Sequence, residues 1–252
     1  MTSEVVVYNI ESALNAQTGG ADRVELCGNR GGGGTTPSLG IAEVVQNRLD
    51  IPIFVMIRPR EGDFCYTDNE FDAMKRDIKR FKDLGLDGVV FGILSADGSL
   101  DLARCKELIE LARPLQVTCH RAFDMARDPF QALESCIKAG FDRILTSGQQ
   151  AQAYEGLSTI TELVARARDR ISIMAGCGIN EATVREIIRE SGVREVHFSA
   201  SSKRSSKMEY RNESIDGMGN KPGTAYTIHI ASQDRVNRIC QKALAKDSSV
   251  SS

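Results

Sequence analysis

The chain has no run of about 18 apolar residues, so no membrane span is indicated. It has no basic excess either: the net charge is -2 and the isoelectric point near 6.0. That argues against nucleic acid or an anionic membrane as a partner. The start, MTSEVVVYNIES, lacks a basic stretch and a cleavage motif and enters a strand within four residues, so it is not expected to act as a signal peptide. The seven cysteines form no CxxC pair, are odd in number and fall largely inside apolar patterns. Free thiols in a reducing cytosol are expected, with entry into the nucleus left open.

Several catalytic signatures are missing as well. No lysine sits at a strand end, which excludes a Schiff-base aldolase. HxH and HExxH are absent, so amidohydrolase-type and metalloprotease zinc sites are not expected. There is no G-x-S-x-G elbow for a covalent serine hydrolase.

What is present is a strong alternation of short apolar strands and longer amphipathic helices. The strands read EVVVYN (4–9), RVELC (23–27), PIFVMIRP (52–59), GVVFG (88–92), QVTCH (116–120), RILTSG (143–148), SIMAGCG (172–178) and EVHFSA (195–200). Gly85, Gly140 and Gly192 stand just past the last apolar residue of three helices, where a left-handed stop is expected. Eight strands, each followed by a helix, predict an α/β fold: a single (β/α)8 TIM barrel over residues 1–252. A doubly wound open sheet is the rival, but it more often uses fewer strands. The segment 201–230, rich in Ser, Gly and charge and ending in the strand-like TAYTIHI, is expected to be a long connection before the final helix. Its 203-KRSSK-207 stretch is expected to be merely solvated.

Alternate residues of a barrel strand point inward, so apolar parity assigns the interior. Val24 and Leu26 take the helix side of strand two, leaving Glu25 and Cys27 inside. In strand eight Val196 and Phe198 face out, so His197 and Ser199 face in; in strand five Val117 and Cys119 face out, so Thr118 and His120 face in. If Arg58 joins the interior, Phe54 and Met56 lie beneath it. The candidate catalytic set is therefore Glu25, Arg58, His120 and His197, with Arg121 and Asp124 just past strand five. Glu25 and His120 could form a proton-transfer pair, and Arg58 or Arg121 could bind an anion. A lyase, isomerase or hydrolase acting on a small anionic metabolite would use such a set. The plainer reading makes Glu25 and Arg58 a buried ion pair, and Arg121 and Asp124 loop pins. Cys105, Cys119 and Cys136 are expected to be core thiols. Gly176 and Gly178 in AGCGI, together with Ser199, resemble the phosphate cradle of many barrels.

The strings GGADRVELC, GGTTPSLG, FVMIRPREGDFCYT, HRAFDM, RILTSG and HFSA resemble the copper homeostasis protein CutC family along nearly the whole chain. The resemblance implies a TIM barrel, a cytoplasmic location, assembly into homo-oligomers, and Cu(I) binding with the copper ion as partner. Cys27 matches the cysteine of the family's ELC motif, which makes it the first candidate metal ligand, to which His120, His197 and Met56 could contribute. Cu(I) is soft and suits thiolate, thioether and imidazole. Cys177 is a departure, a thiol where the family's turn is usually glycine.

Overall fold

Helix boundaries fall where the sequence supplies caps. Thr67 and Glu70 exchange the reciprocal bonds of a capping box at the start of α3 (Asp68–Asp83). Asp128 caps α5 (Pro129–Ala139), whose first residue is a proline that needs no hydrogen-bonded N–H there. Gly140 and Gly192 end α5 and α7 (Val184–Ser191) in the left-handed conformation, as expected. The remaining helices are α1 (Ile10–Thr18), α2 (Leu39–Gln46), α4 (Leu102–Ala112), α6 (Leu157–Ala167) and α8 (Gln233–Leu244).

The computed structural model describes residues 1–215, 217 and 224–245. Between the helices run β1 (Thr2–Val7), β2 (Arg23–Leu26), β3 (Ile53–Met56), β4 (Gly88–Phe91), β5 (Gln116–Cys119), β6 (Arg143–Thr146), β7 (Ser172–Gly176) and β8 (Glu195–Phe198). They pair in parallel in sequence order, and β1 also pairs with β8, so the barrel closes. This is the (β/α)8 barrel that the alternation predicted.

Burial separates the two faces of each strand. Val5, Val7, Val24, Leu26, Val117 and Cys119 belong to the large core between barrel and helices. Val6, Cys27, Phe54, Met56 and Val90 form a second, smaller apolar cluster inside the barrel. Interior bulk is matched to interior space: a Cβ on Gly88 would lie 2.7 Å from three atoms of the Phe54 ring. Only glycine lets that ring lie across the barrel floor.

The segment after β8 differs from the long loop expected. β9 (Ser201–Ser205) and β10 (Thr227–Ala231) form an antiparallel ribbon in which Ser201 opposes Ala231. Lys203 and Arg204 of the KRSSK stretch therefore lie on a strand. The ribbon is tied to α1, whose cap residue Asn9 donates to the His229 carbonyl at 2.9 Å, while Ser12 accepts from the Ala231 N–H at 3.0 Å. β10 falls in the strand-like TAYTIHI, whereas β9 carries no apolar residue that could have marked it as a strand. Part of the 201–230 segment, residues 216 and 218–223, lies outside the described residues.

Candidate functional site

A cavity of about 420 Å³ opens at the C-terminal ends of the strands, where barrel active sites are built. Glu25, Arg58, His120, Arg121 and His197 all line it, together with Cys177, Gly178 and Ser199. Parity thus converged on one place. Its walls are apolar, with Val6, Met56, Phe64, Leu145 and Ile179 among them.

Arg58 is 6% exposed and makes no ion pair among the described residues. Its terminal nitrogens donate instead to the carbonyls of Gly32, Gly34 and Gly62 at 2.7, 2.8 and 2.8 Å. The side chain thereby staples the loops after β2 and β3, and its Nε–H has no partner. The Glu25–Arg58 ion pair of the plainer reading does not form; Glu25 is paired with His197.

His120 is 3% exposed. Its Nδ1 accepts from the Ala122 N–H at 3.2 Å, which places the neutral ring's proton on Nε2. That Nε2 is buried without a partner. Burial first, and the Arg58 charge second, lower the imidazole to about 4, so the ring is neutral at physiological pH. Phe64 packs against both groups, its ring centroid 4.8 Å from that of His120 and 5.0 Å from the Arg58 guanidinium carbon. Two buried N–H donors without acceptors among the described residues thus belong to side chains that line one cavity.

Glu25 pairs with His197, not with His120: Oε2 lies 2.8 Å from His197 Nε2. Burial alone would raise the Glu25 carboxyl, but the His197 charge prevails and holds it below the ordinary range. The same attraction overcomes burial at His197 and raises it. Beneath this pair lies a polar network that the parity reading missed. Arg23 bridges Glu4 and Glu195, and Arg143 Nε meets Glu195 Oε2 at 2.8 Å. Ser172 donates to Glu195 Oε1 at 2.6 Å. Both guanidiniums stack on Phe54, at 4.6 and 5.1 Å from its centroid. The signal was available: Arg23 stands two residues before Glu25, and Glu195 two before His197, on the same inward parity.

Arg121 and Asp124 hold the rim. Asp124 accepts from Arg121 Nε at 2.7 Å, Thr146 Oγ1 at 2.5 Å, the Ser147 N–H and the Gln149 N–H. Arg121 also donates to Ser147 Oγ and approaches Cys177 Sγ at 3.3 Å. Asp124 is a loop pin, as the plainer reading had it, while Arg121 keeps a face on the cavity. Of the glycine cradle, Gly178 and Ser199 line the cavity. Gly176 instead leaves room for Leu145, whose Cδ1 would lie 2.4 Å from an added Cβ.

Comparison with known proteins decides the family. The CutC family profile matches residues 1–202. A copper homeostasis protein cutC homolog of Homo sapiens is 46% identical over 244 residues, covering 97% of this chain and 89% of the relative. A CutC family protein of Parabacteroides distasonis is 51% identical over 215 residues, covering 84% and 88%.

The chain belongs to the CutC family.

The crystal structure of a CutC protein from Streptococcus agalactiae superposes with a TM-score of 0.76 at 33% identity, covering 79% of this chain and 98% of that one. A thiamine phosphate pyrophosphorylase from Pyrococcus furiosus reaches a TM-score of 0.59 at 15% identity over 96% and 95%, which shows the shared fold alone. Most of the β9–β10 ribbon and all of α8 lie beyond the CutC profile match.

The CutC name raises the question of copper. Cys27 is 2% exposed and packs in the interior apolar cluster. Burial, then the Glu25 and Glu4 charges, push its thiol well above the ordinary range, which disfavours the thiolate that binds metal. Among the described residues Cys27 and His120 gather no third His, Cys, Asp or Glu donor. No described helix is long and apolar enough to cross a membrane.

Proposed function

We propose that this CutC-family barrel binds a small anionic metabolite at its mouth and acts on it by proton donation. One observation carries the reading: Arg58 and His120 line the same cavity, and their Nε–H and Nε2–H are buried without acceptors among the described residues. A buried donor left unpaired costs about 1–3 kcal/mol, and a buried cation without a counter-charge costs more. A carboxylate or phosphate oxygen accepting from both would remove both costs. The apolar walls suit the carbon body of such a ligand. Neutral His120 can donate its Nε2 proton to an oxygen that Arg58 has polarised, a step shared by lyases, isomerases and hydrolases.

The test is a thermal-shift screen of carboxylated and phosphorylated metabolites against the wild-type chain and Arg58→Lys. Concentration-dependent stabilisation of the wild type, lost in the variant, is the expected result. Equal shifts in both proteins, or none in the wild type, would overturn the reading.

A second reading, Cu(I) as cargo, is favoured by the relatives' names and by one contact pattern. Cys27 and Met56 share the interior apolar cluster and both approach Gly34, where a Cβ would lie 3.3 Å from Cys27 Sγ and 3.6 Å from the Met56 methyl carbon. Thiol plus thioether is a soft pair. Anaerobic Cu(I) titration decides it: Cys27→Ser abolishes binding if the reading holds, and unchanged stoichiometry sinks it. The seven unpaired cysteines support placing the protein in a reducing cytosol.

A further inference from the structure

We propose that Glu4, Glu25 and His197 form a binding site for a divalent, oxygen-preferring metal ion at the floor of the cavity. The three side chains come from adjacent strands. Glu4 of β1 is in register with His197 of β8, and Val6 of β1 with Glu25 of β2. Their inward parity brings one ligand atom from each within 4.8 Å of the others. His197 Nε2 is 2.8 Å from Glu25 Oε2 and 3.8 Å from Glu4 Oε1.

An acidic cluster would not by itself be a site, but this one has orphaned atoms. Glu4 Oε1 and Glu25 Oε1 are buried with no hydrogen-bond partner among the described residues, on side chains 1% and 3% exposed. Carboxylate oxygens are seldom left bare in an interior, because nothing there replaces the lost water. Glu4 is held by its other oxygen, Oε2, against Arg23, whereas the Glu25 Oε2–His197 Nε2 hydrogen bond is the one an ion would replace, because that nitrogen cannot ligate and donate a proton at once. Arg23 is fixed in turn by Glu195 at 2.7 Å. This outer layer of support is what orients ligands in established metal sites.

The donor set predicts the class of ion. One imidazole nitrogen and two carboxylates suit Zn²⁺, Mn²⁺ or Fe²⁺ and do not suit soft Cu(I). Glu25 and His197 also line the cavity, so the remaining coordination positions of such an ion face the mouth. The ion requires neither Cys27 nor an anion at Arg58, so the inference goes beyond the anion reading and can fail separately from it.

The experiment uses the full chain, stripped with chelator and dialysed without any organic anion against Zn²⁺, Mn²⁺ or Mg²⁺ alone. Bound metal is counted by elemental analysis and affinity is measured by calorimetry. Glu25→Gln, His197→Gln and Cys27→Ser are run beside the wild type, with circular dichroism confirming that each is folded. The wild type is expected to hold one ion per chain, Zn²⁺ or Mn²⁺ in preference to Mg²⁺. Support-layer changes alone cost 10–100-fold in affinity, so loss of a ligand is expected to weaken binding on the order of 100-fold. Cys27→Ser should bind as the wild type does. The proposal is overturned if the folded wild type holds no divalent ion, if both ligand variants bind undiminished, or if only Cys27→Ser loses the metal. Should Glu25→Gln fail to fold, His197→Gln carries the same test.

Discussion

Replacing His120 by asparagine should flatten the dependence of stability on pH. In the folded chain burial and Arg58 hold the imidazole near 4, whereas its ordinary value is 6.5. Between those values the unfolded chain binds a proton that the folded chain does not, so stability falls as the pH falls. The contribution is fully present above pH 6.5 and is lost progressively down to about 4. Linkage puts the loss at about 2.5 kcal/mol by pH 4.5 and about 3 kcal/mol at the limit. Asparagine can still accept from the Ala122 N–H but does not titrate, so it isolates the effect. Other titrating groups, including the raised His197, are common to both proteins and cancel in the comparison. The assay is urea unfolding of wild type and variant at pH 7.0, 5.5 and 4.5. The wild type should lose about 2.5 kcal/mol more than the variant between pH 7.0 and 4.5. Parallel profiles would refute the placement of His120 as a buried neutral ring.

Glu195→Gln removes the carboxylate shared by Arg23 and Arg143 and leaves two buried guanidiniums short of charge. A loss of about 3–5 kcal/mol and a melting-point drop of roughly 10 °C are expected by calorimetry. Gly88→Ala drives a methyl into the Phe54 ring, and urea unfolding should show a cost of about 1–3 kcal/mol. Asp124→Ala strands the donors of Thr146, Ser147 and Gln149. It should lower the urea midpoint by an amount equivalent to about 3 kcal/mol, and it frees Arg121 at the rim.

Much of the fold was legible because its signals are local. Strand length, capping residues and glycine stops recur unit by unit, and closure follows from having eight units. Parity carried the site further than any motif did: Glu25, Arg58, His120 and His197 reach one cavity from four strands. Its limits were energetic. The alternation shows that Glu25 points inward, but not that His197 outcompetes Arg58 for it, since that depends on where the Gly32, Gly34 and Gly62 carbonyls lie. The floor network of Glu4, Arg23, Arg143 and Glu195 lies toward the N-terminal ends of its strands, away from the C-terminal ends where the barrel rule places a site. Of the ribbon after β8, the TIHI of β10 shows its alternation, but β9, Ser201–Ser205, carries no apolar period to read.

The central claim is that an anion oxygen belongs between Arg58 and His120. The most direct measurement is a high-resolution crystal structure of the full chain with the strongest stabilising metabolite from the screen. The account predicts a carboxylate or phosphate oxygen within hydrogen-bond distance of both Arg58 Nε and His120 Nε2. A ligand seated elsewhere, or seated in the cavity with those two donors still unpaired, would contradict it.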